Sequence, residues 1–125
     1  EGLIADGLKK VFAPNPVPDG YRDHFGPELT LRRASQRASA RQVLALSRHM
    51  AAQAPRYGEL TLPIEVLHGQ ADTVVDIGIH ARALIATAPS ANLTALPASG
   101  HMPHHADRTA AIAAIDRAAT RAGLR

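Results

Sequence analysis

The sequence predicts an α/β fold, and three observations lead there. Residues 62–122 alternate strand-like and helix-like segments in the order strand, helix, strand, helix. Both strand-like runs are short, apolar and bounded by proline or glycine. The segment between them is long enough for the right-handed crossover that joins parallel neighbours.

The first thirty residues read as irregular. In Ala13-Pro14-Asn15-Pro16-Val17-Pro18-Asp19-Gly20, prolines at alternate positions remove donors and hold φ near −65°. An extended loop or linker is expected there. Residues 31–58 turn helical. Ser39-Ala40-Arg41-Gln42 has the form of a capping box. Val43, Leu46, Met50 and Ala54 then recur on one helical face, and Pro55 and Gly58 end the run.

From Leu62 the period changes. Pro63 leads Ile64-Glu65-Val66-Leu67-His68, which stops at Gly69; proline is tolerated at a strand's first position. Asp76 is placed to cap a helix over 77–88, with Ile77, Leu84 and Ile85 on its buried side. Asn92-Leu93-Thr94-Ala95-Leu96 is the second strand, ended by Pro97. The last helix is expected over 107–122, with Ile112, Ile115, Ala119 and Ala122 as its apolar stripe. Asp107 in its first turn, and Arg117 and Arg121 near its end, suit the helix dipole.

Composition narrows the function classes. The 125 residues suffice for one domain, and 46% are apolar, but much of that is alanine and only four residues are aromatic: Phe12, Tyr21, Phe25 and Tyr57. A thin core follows, because alanine buries little area at ~25 cal/mol per Å². The net charge is +3, and all basic residues except Lys9 and Lys10 are arginine. These arginines are spaced along helices among alanines, without the aromatic interleaving that stacks bases, so a solvated helix face is expected rather than a nucleic-acid surface. The absence of cysteine excludes disulfides and thiolate chemistry and fits a cytoplasmic location. No apolar run reaches the ~18 residues of a membrane span. The chain opens at Glu1 rather than methionine, as a processed product or part of a longer chain would.

Two residues stand out for chemistry. Ligands of open parallel sheets bind beyond the carboxyl ends of the strands. Asp72 follows the first strand by four residues and His101 follows the second by five, so parallel strands bring both loops to one edge. A carboxylate there can hold one tautomer of a histidine base and stabilise its imidazolium. Gly69 and Gly100 free the backbone beside them.

Leu62-Pro63-Ile64-Glu65-Val66-Leu67-His68-Gly69-Gln70-Ala71-Asp72-Thr73-Val74-Val75 resembles the α/β-hydrolase segment in which a proline-led strand ends in Gly-x-x-Asp and two apolar residues. Pro89 to Leu96 resembles the strand that follows, and Gly100-His101-Met102-Pro103-His104 resembles the family's Gly-His loop. The resemblance covers residues 62–122 and, more loosely, likens residues 11–58 to the cap inserted before them. It implies a cap segment over 1–60 and the C-terminal portion of an α/β-hydrolase core over 61–125. It also implies Asp72 and His101 as triad acid and base, with no cofactor. The simpler alternative is that Asp72 caps a turn and His101 fills a loop.

The family's Gly-x-Ser-x-Gly turn is absent. Ser35, Ser39, Ser47, Ser90 and Ser99 all lie outside such a frame. Asp76, the rival acid, reads as a helix cap. His101, His104 and His105 have the residue types for zinc, yet such sites need a closed ligand set; no metal is expected. His68 reads as a strand-end histidine satisfied by its neighbours. His24, His49 and His80 have no evident partners.

Three functions fit. One is a hydrolase of a small apolar ester-like substrate, with Val43, Leu46 and Met50 of the cap shaping the pocket. The second is a hydrolase-like domain that binds an apolar ligand without turnover. The third is a basic interaction module. The expected partners are a small apolar substrate and either an N-terminal half of the same protein or further copies of the chain.

Overall fold

A computed structural model describes residues 2–125. Its sheet has two parallel strands, β1 (Ile64–Gly69) and β2 (Ala91–Leu96), paired from Ile64↔Ala91 to Gly69↔Leu96. The fold is α/β, as the alternation of segments predicts. The crossover between the strands differs from expectation in its first turn. It opens as a wide, π-type turn over Gly78–Arg82 and tightens into α5 (Ala83–Thr87). Asp76 caps it, its Oδ1 accepting from the Ile79 amide at 2.9 Å. Ala81 and Ala88 are its buried positions, while Ile77, Leu84 and Ile85 are half-buried.

The N-terminal thirty residues correct the reading of an irregular stretch. They hold α1 (Gly2–Phe12), α2 (Tyr21–Phe25) and α3 (Pro27–Thr30); the proline-rich connection between α1 and α2 is irregular, with turns at both of its ends. Phe12 anchors this region. It is 2% exposed and is the largest fully buried side chain among the described residues. Its ring meets Tyr21 edge-on at 4.8 Å and His105 at 5.5 Å. Burial of such a ring contributes about 2–3 kcal/mol.

α4 (Arg33–Gln53) begins six residues before the expected capping box, so Ser39 lies inside it. No side chain caps its first amides; the Ser35 and Gln36 side chains instead tie its first turn to the Leu29 and Thr30 carbonyls, donating at 3.0 and 2.8 Å. A 3₁₀ turn, Ala54–Glu59, completes it. The expected apolar stripe is present but uncovered: no residue of α4 is buried, and Val43 is 69% exposed.

α6 (Pro103–Ala106) and α7 (Arg108–Arg121) close the chain. Asp107 caps α7, accepting from the Ala110 amide at 2.8 Å. The face that α7 turns to β1 is not the isoleucine stripe. Ile112 and Ile115 are exposed, whereas Ala114 is buried and Arg117 and Arg121 reach inward to Glu65. That carboxylate is 3% exposed and accepts from Arg121 at 2.6 Å, Asn92 at 2.9 Å and Arg117 at 3.0 Å. A covered carboxylate requires such partners, and this requirement sets the rotation of the helix.

Candidate active site

β1 and β2 end side by side, and the loops that follow them are laced together. The Gln70 amide donates to Leu96 O and the Ala71 amide to Ser99 O, both at 2.9 Å. A Cβ on Gly69 would overlap the backbone carbonyls of Ser99 and Gly100. Only glycine permits so close a crossing.

This lacing brings the two sequence-selected residues together. His101 Nδ1 lies 2.9 Å from Asp72 Oδ2 across 29 residues of sequence. The carboxylate is 4% exposed and the imidazole 33%. Oδ1 of Asp72 accepts from the Val74 and Val75 amides at 2.8 and 2.9 Å. Burial pushes the Asp72 carboxyl upward, but the Val75 amide, His101 and the Val74 amide outweigh it and hold its pKa below 3.8. An ionised Asp72 accepts the Nδ1 proton of His101, leaving Nε2 as the free basic nitrogen. Among the described residues Nε2 has no hydrogen-bond partner.

Asp76 takes the part of helix cap. His68 meets two groups of the acid loop: its Nε2 is 3.1 Å from Val75 O and 3.5 Å from Asp72 Oδ2. The His104 and His105 rings meet at 4.4 Å, tilted by 48°, and His105 also meets the rings of Tyr21 and Phe12. Desolvation first, then the neighbouring His104, His24 and Arg108, lower the His105 pKa from 6.5. No group of three or more metal-binding side chains converges among the described residues.

His101 and Met102 border an apolar cavity of about 480 Å³. Its other walls come from Ile4, Leu8 and Val11 of α1, Phe25 of α2 and Leu31 after α3. This corrects the expectation for the pocket. Val43, Leu46 and Met50 point into solvent and line no part of it. A signal for this wall exists in the sequence, because Ile4, Leu8, Val11 and Phe12 follow helical spacing. Apart from His101, its polar side chains are Tyr21 and Thr30, so an uncharged, largely apolar ligand suits it.

Ser99, the serine nearest His101 in sequence, is buried, and its hydroxyl lacks a hydrogen-bond partner. No helix is long and apolar enough to cross a membrane among the described residues. Comparison with protein-family models, with curated proteins and with solved structures found no match to this chain.

Proposed function

We propose that the chain supplies the acid and base of a nucleophile–histidine–acid triad, as the C-terminal portion of an α/β-hydrolase-like enzyme acting on a small apolar ester or related substrate. The observation that carries this reading is the 2.9 Å Asp72–His101 contact at the border of an apolar cavity. Asp72 holds the Nδ1–H tautomer, and Nε2 takes the proton of a nucleophile as it attacks. The imidazolium so formed is stabilised by the carboxylate and returns the proton to the leaving group.

The nucleophile and the oxyanion donors come from outside these 125 residues in this reading. They supply most of the acceleration in such sites, so the purified chain should hydrolyse p-nitrophenyl butyrate no faster than free imidazole does. The protein expressed from its whole gene should turn over neutral esters of short acyl chains. His101→Ala and Asp72→Asn should each lower kcat by about 10³-fold or more, with the fold retained by circular dichroism. Full activity in both variants, or a trapped acyl group on a serine of the isolated chain, sinks the proposal.

The cavity itself favours a second reading, in which an apolar ligand is bound without turnover. A whole protein that binds an aliphatic ester stoichiometrically, and releases it unhydrolysed, would select this reading over the first.

A further inference from the structure

The acid meets a second histidine that the triad does not use. His68 stands next to the end of β1, opposite Ala95 on β2, with its side chain 13% exposed. Its Nε2 is 3.1 Å from the Val75 carbonyl, an obligate acceptor, so that nitrogen carries the proton. The same N–H lies 3.5 Å from Asp72 Oδ2, the oxygen that faces His101. Val75 in turn donates its own amide to Asp72 Oδ1. His68 thus closes a ring around the carboxylate. One end of Asp72 is held by the Val74 and Val75 amides, and the other lies between two imidazoles.

We propose that His68 is a positioning residue. Through an Nε2–H bonded to the carbonyl of Val75, the residue whose amide holds Asp72 Oδ1, and through its ring 3.5 Å from Asp72 Oδ2, it fixes the rotation of the Asp72 carboxylate and thereby the tautomer of His101. A carboxylate free to turn about χ2 would present Oδ2 to His101 only part of the time. The Val74 and Val75 amides already restrain Oδ1, and His68 narrows the remaining freedom of Oδ2 without contacting His101 itself. Its catalytic meaning rests on the acid–base reading of Asp72 and His101, but the geometry it asserts does not.

Long-range proton–nitrogen correlation spectra of the full chain, labelled with ¹⁵N, separate the two. At neutral pH His68 should show the Nε2–H tautomer and His101 the Nδ1–H tautomer. In His68→Leu the ratio of Nδ1–H to Nε2–H forms of His101 should fall by about threefold to tenfold, as expected for loss of one neutral hydrogen bond's worth of order. His68→Gln, whose amide nitrogen replaces Nε2, should restore it. His68 found as Nδ1–H in the unaltered chain overturns the proposal, even where His68→Leu does not fold. So does an unchanged His101 ratio in a folded His68→Leu chain, or a glutamine that fails to restore it. These spectra report ring order whether or not the protein turns over an ester, so either idea can fail without the other.

Discussion

Asn15 holds Gly100 across 85 residues of sequence. Its Oδ1 accepts from the Gly100 amide at 3.2 Å, and its Nδ2 donates to the Ala98 carbonyl at 3.1 Å. The proline-rich connection is therefore a clip on the loop that carries His101. Close approach comes with it, since a Cβ on Gly100 would overlap the Ala13 carbonyl. Asn15 joins the helical N-terminal region, which forms the cavity wall, to the histidine at its border.

Asn15→Ala should leave the buried Gly100 amide without its partner. We expect a loss of about 1–2 kcal/mol in stability and faster hydrogen exchange at Gly100 and His101 than elsewhere in the sheet. Asn15→Asp keeps the acceptor and should lose less. Urea titrations of the three proteins, paired with amide exchange, measure both effects. Equal midpoints and equal exchange would show that the clip contributes nothing.

The parallel pair and the Asp72–His101 contact were legible because both depend on local signals. Proline and glycine mark the strand ends, and parallel strands leave no choice about which edge their following loops share. α1 was not legible in the same way. Gly2 and Gly7 lower helix propensity by roughly 1 kcal/mol each relative to alanine, and what secures the helix end is Phe12 against Tyr21 and His105, two contacts absent from any local window. The rotation of α7 was hidden for a related reason. Periodicity selects Ile112 and Ile115, but Glu65 sits on the covered side of β1 and draws Arg117 and Arg121 across instead. The Ser39 motif failed because the helix begins at Arg33 without a side-chain cap, its first turn tied to the preceding segment by Ser35 and Gln36, contacts that the capping pattern does not encode.

Acid should destabilise the chain in two stages. His105 has a lowered pKa in the folded state, so the unfolded chain takes up its proton first as the pH falls through about 6.5. Stability declines from there. Glu65 and Asp72 have lowered pKa values as well. Burial raises each, but Arg121, Asn92 and Arg117 outweigh it for Glu65, as the loop amides and His101 do for Asp72. Their contribution is complete above the unfolded values of 4.5 and 3.8 and is lost as the pH falls through the lower folded ones. Thermal midpoints between pH 8 and pH 3 follow both stages. His105→Phe should remove the upper stage alone, and Glu65→Gln should weaken the lower. A midpoint that rises on acidification from pH 7 to pH 5 would contradict the assignment.

The last expectation concerns association. Val43, Leu44, Leu46 and Met50 are exposed on α4, and the core opposite consists of Phe12 and four alanines among its buried apolar residues. Two strands are marginal by themselves and depend on what packs on them, and here the helices bring mostly alanine to that contact. Each strand here has one edge that pairs with nothing among the described residues, a row of donors and acceptors open to another chain. Ordering the backbone costs roughly 1–2 kcal/mol per residue, and alanine burial returns little of it. Further apolar burial is therefore favoured, and a second copy is the surface always at hand. Light scattering on the 125-residue chain should show mass rising with concentration through the micromolar range. Val43→Gln, Leu46→Gln and Met50→Gln combined should shift that rise to concentrations about tenfold higher if the helix face contributes, since three side chains leave the contact. Association unchanged by the triple variant would assign the contact to the strand edges. A monodisperse monomer that melts cooperatively at high micromolar concentration would show that the small core is sufficient alone.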